Sequence, residues 1–247
     1  EHAKRQYRDD RPPAGEPLLT FGARALVHFA VSNDEVWMTT RLAGKHTRFL
    51  PFNRGDDGHA GNGPDEDGGC PTTYLWRDVW ARDQWLDILG KFIHYETDKT
   101  TDPKTGKQSV SKALIFPRYH QLDAVTKIVA DARELGAGQK YLIQHSAGSG
   151  KTRSIAWTAH RLATLHDAND AKVFDTVIVV TDRTVLDDQL QEAVRQIEPA
   201  AGMVATINQN EAAKALTDGD STSKSSYLTK TLASGKLIIV VTIQTFP

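Results

Sequence analysis

The residues His145-Ser146-Ala147-Gly148-Ser149-Gly150-Lys151-Thr152 have the types and spacing of a phosphate cradle. Two glycines permit backbone conformations closed to other residues, so successive N–H groups can turn towards anionic oxygens. The segment follows the apolar run Tyr141-Leu142-Ile143 and precedes a helical pattern beginning Ile155-Ala156-Trp157. Strand, glycine-bearing loop, Lys-Thr and helix is the order of a P-loop. The new helix adds its unpaired N–H groups and the positive end of its dipole. In that arrangement Lys151 reaches the outer phosphates of a nucleoside triphosphate, and the Thr152 hydroxyl holds Mg²⁺. These eight residues and Arg153 form the expected nucleotide-binding set, with Lys151 and Thr152 nearest the chemistry. The strict pattern begins with glycine, where this chain has His145. The competing reading is an ordinary glycine-rich turn; Gly-Lys-Thr between a strand and a helix favours phosphate.

The elements around this loop alternate as a parallel sheet requires. The patterns predict a helix from His120 to Leu135, a strand from Tyr141 to Gln144 and a helix from Lys151 to Leu165. A strand over Thr176 to Thr181 and a helix over Thr184 to Ile197 follow, then a short strand near Met203 to Ile207. A helical pair across Asn210 to Ala233 and a strand from Leu237 to Thr242 complete the series. The runs Val177 to Val180 and Leu237 to Val241 are apolar throughout, as strands covered on both faces are. The expected fold class is α/β: a P-loop, RecA-like parallel sheet with its ligand beyond the carboxyl ends of the strands. This lobe is assigned to residues 114–247.

Residues 1–113 differ in texture and are expected to form a smaller α+β segment. Arg24 to Val31 and Val36 to Thr40 read as strands joined at Ser32-Asn33-Asp34, and Leu42 to Phe52 as a continuation of that sheet. Asn53 to Pro71 is glycine-rich and acidic, a solvated loop; its Asp clusters lack the closing Glu of a calcium loop. From Leu75 to Ile93, apolar residues recur every three or four positions, which predicts one amphipathic helix with Trp76 and Trp80 in the core, the alternative for these two being a stacking platform for bases. His94 to Ser111 is polar and reads as a helix end and a linker.

Composition narrows the classes. With 39% apolar and 25% charged residues the chain is an ordinary globular protein. There is one cysteine, Cys70, so an internal disulfide or a multi-cysteine zinc site is excluded, and a cytoplasmic protein is the simplest account. The 30 basic and 31 acidic residues nearly cancel, so any nucleic-acid contact must rest on a local stripe.

Three segments extend the argument beyond nucleotide binding. Phe116-Pro117-Arg118-Tyr119-His120-Gln121 lies one helix upstream of the P-loop. Here the chain resembles the superfamily 2 helicases and translocases, a likeness that implies Arg118 and Gln121 select ATP. A glutamine amide can donate to and accept from the adenine edge. Val180-Thr181-Asp182-Arg183-Thr184 stands where that superfamily touches the nucleic-acid backbone, which implies DNA contacts from Thr181 and Arg183. A rival reading makes Asp182 a Mg²⁺ carboxylate. Thr242-Ile243-Gln244-Thr245-Phe246 occupies a second such position, and Thr242, Gln244 and Thr245 are expected to contact phosphate.

Over its whole length the chain resembles the R subunit of type I restriction enzymes. The phrases that carry the likeness are RALVHFAV, VWMTTRLAGKHTRFLPFN, YLWRDVW, FPRYHQLDAV, LIQHSAGSGKTRSIAW and VIVVTDRTVLDDQL. The resemblance implies ATP- and Mg²⁺-dependent translocation of double-stranded DNA, DNA cleavage, and methyltransferase and specificity subunits as partners. It also implies that Glu1 to Arg8 is a helix following a nuclease centre, with 1–113 the end of the nuclease region and its connector. No Asp-Glu box follows the P-loop in this sequence, so weak ATP binding with little turnover is expected of it. The alternatives are a superfamily 2 helicase outside restriction and a nucleotide-binding module without turnover.

Overall fold

The computed structural model describes the chain except for residues 12, 102–104, 183, 199–201, 208–222 and 247, with backbone alone for 98, 99, 101 and 184–188. The chain splits into two compact units, Glu1–His120 and Gln121–Pro247.

In the first unit, helix α1 (His2–Arg5) runs on into a wider π-type turn over Gln6–Asp10. Strands β1 (His28–Val31), β2 (Val36–Thr39) and β3 (Leu50–Pro51) form an antiparallel sheet in that order. The turn between β1 and β2 is set by Ser32, whose Oγ accepts from the amides of Asp34 and Glu35. The glycine-rich loop after β3 is more firmly held than its composition suggests. Asn62 donates to the Asp34 carbonyl at 2.8 Å and accepts from the Arg54 amide at 2.8 Å. Asp65 is buried and takes the Gly69 N–H at 3.1 Å and Arg77 at 3.0 Å. An aromatic core forms around these elements: Phe52 meets Phe116 at 5.9 Å and Tyr119 at 5.8 Å, and the Tyr74 hydroxyl donates to the Phe52 carbonyl at 2.5 Å.

Two expectations for this unit are corrected. The single helix over Leu75 to Ile93 is two pieces, a π-type turn (Leu75–Val79) and helix α2 (Arg82–Lys91), with Trp80 and Ala81 between them. The break rotates the apolar stripe, so Tyr74, Leu75, Val79 and Ile88 are buried while Trp76 is 48% and Trp80 41% exposed. The segment read as a linker is a long antiparallel hairpin, β4 (His94–Thr101) with β5 (Gln108–Ile115), paired from His94↔Ile115 to Thr101↔Gln108.

The second unit carries the alternation expected of it. Helix α3 (Tyr119–Leu135), whose first two residues close the first unit, leads to the P-loop segment and helix α4 (Lys151–Ala163). Then come β6 (Val177–Thr181), α5 (Thr184–Ile197), β7 (Val204–Ile207), α6 (Lys224–Ala233), β8 (Ile238–Thr242) and a 3₁₀ turn (Ile243–Thr245). The earlier part of the expected helical pair lies at 208–222, outside the described residues. Strands β6, β8 and β7 form a parallel sheet in that order, with β8 central and buried along its length. Side chains alternate across this sheet, as the pleat dictates. Ile238 and Val240 pack with Ala156, Ala159, Leu190 and Val194, the contribution of α4 and α5. Ile239 and Val241 pack with Ile207 and with Leu228 of α6. The sheet therefore has helices on both faces, a RecA-like α/β lobe.

One strand of that lobe is not where the apolar run placed it. Residues 141–144 pair with no described strand and are exposed, Leu142 at 91%. A run of Tyr, Leu and Ile supplies β propensity, but strand character is completed by a ladder partner. Tyr141 is anchored instead by its hydroxyl, which donates to Asp131 of α3 at 2.5 Å.

Candidate functional site

The loop at 145–150 has the geometry its glycines promised. Gly148 and Gly150 sit at φ +74° and +86°, the left-handed region in which L side chains are strained. Gly150 is the cap residue immediately before α4, so Lys151 and Thr152 occupy the first turn of the helix. Ser149 turns back on the loop, its N–H donating to the Ser146 carbonyl at 3.3 Å, and the Gly150 carbonyl takes the Arg153 N–H at 3.1 Å. Among the described residues, no backbone carbonyl accepts from the N–H groups of Gly148, Lys151 or Thr152. A helix start in this state presents donors and a positive dipole end to an anion.

Lys151 is folded over the same loop. Its Nζ donates to the carbonyls of His145 and Ser146, each at 2.9 Å, and its side chain is exposed. The ammonium thus lies across the mouth of the loop, where an incoming phosphate would replace the two carbonyl contacts. On the same helix Ala156 and Ala159 pack into the core shared with α5 and the sheet, and Trp157 is fully buried. The whole of 145–152 is therefore gathered as one cradle, while Arg118 stands among the last residues of the first unit.

Gln121 is 3% exposed, and its Nε2 donates to the carbonyls of Gly150 at 2.9 Å and Ser149 at 3.3 Å. The amide of the expected adenine-reading residue has its donor side turned to the P-loop backbone. Sequence reasoning missed this contact; its one visible signal was a glutamine a single helix upstream of a glycine-rich loop.

A cleft of about 630 Å³ opens beside the loop, with His145, Lys151, Thr152, Val179, Thr181 and Asp182 among the residues that line it. That volume is ordinary for a small-molecule site. Asp182 shares this cleft with Thr152, so the structure puts the one carboxylate of the rival Mg²⁺ reading on the cleft wall. No cluster of three His, Cys, Asp or Glu able to hold a metal occurs among the described residues. A single threonine hydroxyl at the head of α4 suits Mg²⁺, which takes few protein ligands and is held largely by substrate phosphates and water.

The residues expected to touch DNA converge at the carboxyl ends of the strands. Thr181 and Thr242 stand opposite each other at the last rung of β6 and β8. The hydroxyls of Thr242 and Thr245 lie 3.3 Å apart, and Gln244 donates to the Asp182 carbonyl at 3.1 Å. Thr181, Thr242 and Thr245 are buried and Gln244 is exposed. Arg183 lies outside the described residues.

A parallel sheet flanked by helices, with a glycine loop delivering Lys-Thr to the head of a helix, defines a P-loop nucleotide-binding lobe. The SWI2/SNF2 ATPase family model matches residues 120–247, slightly more than half of the chain, and the chain belongs to that family. It is an ATP-binding, helicase-like module of superfamily 2. No curated protein and no solved structure matches it. Among the described residues, no helix is long and apolar enough to cross a membrane.

Proposed function

We propose that this chain is the ATP-binding segment of the DNA-translocating and DNA-cleaving subunit of a type I restriction enzyme, a cytoplasmic site-specific deoxyribonuclease. The observation that carries the ATP half is the cradle: two left-handed glycines, an uncovered helix start and a lysine lying over both. Lys151 binds the outer phosphates, amides of the segment His145 to Arg153, led by those of Gly148, Lys151 and Thr152, take the remaining oxygens, and Thr152 holds Mg²⁺. Arg118 and Gln121 favour adenine. ATP with Mg²⁺ supplies the phosphoryl group whose transfer drives movement.

The restriction half is supported by the resemblance across both units. The phrases RALVHFAV and VWMTTRLAGKHTRFLPFN become β1, β2 and β3, so they belong to a folded unit outside the matched ATPase region. Its partners are double-stranded DNA and methyltransferase and specificity subunits. Thr181, Arg183, Thr242, Gln244 and Thr245 are the DNA contacts the resemblance implies; among the described ones Gln244 is exposed and meets DNA first, while the three threonines are buried.

The test is ATP hydrolysis by the protein with its methyltransferase and specificity subunits, with and without unmethylated duplex DNA. Stimulation that needs both partners and unmethylated DNA is the expected result. Stimulation by RNA or by single strands alone would assign the protein to the helicases outside restriction. Nucleotide binding without hydrolysis under every condition would leave a binding module.

A further inference from the structure

The hairpin of the first unit sorts its charges by face. Strands β4 and β5 form a two-stranded sheet of their own, and β5 is exposed from Gln108 to Ala113. Residues paired across an antiparallel ladder share a face, and the face alternates from rung to rung. The rungs Thr97↔Lys112, Lys99↔Val110 and Thr101↔Gln108 therefore make one face. The rungs Glu96↔Ala113, Asp98↔Ser111 and Thr100↔Ser109 make the other. Both lysines of the ladder stand on the first face and both acids on the second. We propose that the Lys99–Lys112 face of this ribbon is a duplex-DNA surface, which takes the sugar-phosphate backbone without regard to sequence.

Charge and shape choose that occupant. Lys112 is exposed and makes no ion pair among the described residues, so its ammonium is available to an anion. On the opposite face Glu96 is largely buried, with its carboxylate 3.5 Å from His94 Nε2, so that charge does not reach outward. Diagonal ladder positions such as those of Lys99 and Lys112 stand about 7–8 Å apart, and the two cations meet separate phosphates. Thr97 and Gln108 add neutral donors to the same face, the side-chain types that contact DNA backbone. Val110, 59% exposed between them, suits the apolar edge of a sugar. Residues 97–112 hold four lysines and two aspartates, a net charge of +2 in a chain whose net charge is −1. A two-stranded ribbon also fits the major groove of B-DNA, which is about 12 Å wide. Lysines on a free ribbon can serve only to keep its edges from pairing with other chains. That duty is met by charge on either face and does not require the signs to be separated.

This inference rests on the DNA-translocating reading above, and the experiment tells the two apart. A labelled duplex of arbitrary sequence is titrated with the protein across a salt series and followed by fluorescence anisotropy. The variants are Lys99→Gln combined with Lys112→Gln, Val110→Glu, and Ser109→Glu, each checked for folding by thermal melting. The two glutamates add the same charge to opposite faces at exposed positions. The double lysine variant is expected to weaken binding roughly tenfold and to reduce the salt slope by about two. Val110→Glu is expected to weaken binding roughly fivefold and Ser109→Glu less than about twofold, because salt screens charge beyond about 10 Å. Equal losses from the two glutamates, or a duplex affinity that no variant changes, would overturn the surface and leave DNA to the strand-end contacts of the second unit. Intact duplex binding with lost assembly on the methyltransferase subunit would overturn it in favour of a protein partner. No duplex binding by the unmodified protein would remove the DNA reading itself, and this surface with it.

Discussion

The P-loop and the strand-end cluster use the same residue types to opposite effect. At 145–152, Gln121 and Lys151 grip backbone carbonyls, and the backbone N–H groups of the helix start are left uncovered. At Thr181, Thr242 and Thr245 the side chains are buried, two hydroxyls meet each other, and Gln244 is turned onto the Asp182 carbonyl. Both regions are candidates for phosphate contact, and the first is set out as an anion site while the second has satisfied itself within the protein. What matters is where the donors point. Hydroxyls and amides at strand ends do not make a phosphate surface until their hydrogen-bonding capacity faces outward.

Several substitutions would break or sharpen this contrast. The largest effect is expected from Trp157→Ala, which empties a fully buried site on the helix that carries Lys151 and Thr152. A loss of about 3–5 kcal/mol is the usual cost, read as a lowered denaturant midpoint, and a smaller loss would mean α4 is not the footing of the cradle. Gly150→Ala forces a side chain into the left-handed region and against Gln121. The backbone alone costs about 1–2 kcal/mol, and nucleotide affinity should fall with it. Retained affinity would show that the loop can form without its left-handed residue. Thr245→Val removes the buried hydroxyl pair and should cost roughly 1 kcal/mol of stability in a melting experiment. The contrast predicts that duplex DNA binding survives this change while Gln244→Ala weakens it; the reverse order would make the buried hydroxyls the DNA contacts. The smallest effect is expected of Asp182→Asn. If Asp182 belongs with the strand-end cluster, the Mg²⁺ dependence of nucleotide binding stays put; a large shift would promote it to a metal carboxylate.

The second unit was legible because its strands are apolar runs, although only the central strand β8 is buried along its length; in β6, expected to be covered on both faces, Ile178 and Val180 are exposed. Ile238 to Val241 reads as strand from its apolar run, and Thr184 to Ile197 as helix from its period. The P-loop was readable for a different reason, since Gly-Lys-Thr encodes backbone conformation and charge together. The failures have physical causes. The hairpin at 94–115 is written in Thr, Ser, Lys and Glu with few apolar residues, and β5 is exposed from Gln108 to Ala113, so hydrophobic alternation had nothing to report. Ladder pairing from His94 to Thr101 holds it instead. The break at Trp80-Ala81 was hidden because apolar spacing continues on both sides of it. Tyr141 to Ile143 carries strand residues, but pairing is a property of two segments, and one segment cannot display it. The Gln121 contact was invisible for the same reason: it joins residues 28 and 29 positions apart.

The central claim is that the loop at 145–152 is a nucleotide phosphate site centred on Lys151. The direct test is calorimetric titration of Mg²⁺-ATP into the protein and into Lys151→Ala under identical conditions. Saturable binding at one site, weakened roughly ten- to hundredfold by the substitution, is the predicted result, since charge-assisted hydrogen bonds of this kind are worth about 1.5–3 kcal/mol. Binding that is absent, or equally strong without the Lys151 ammonium, would contradict it.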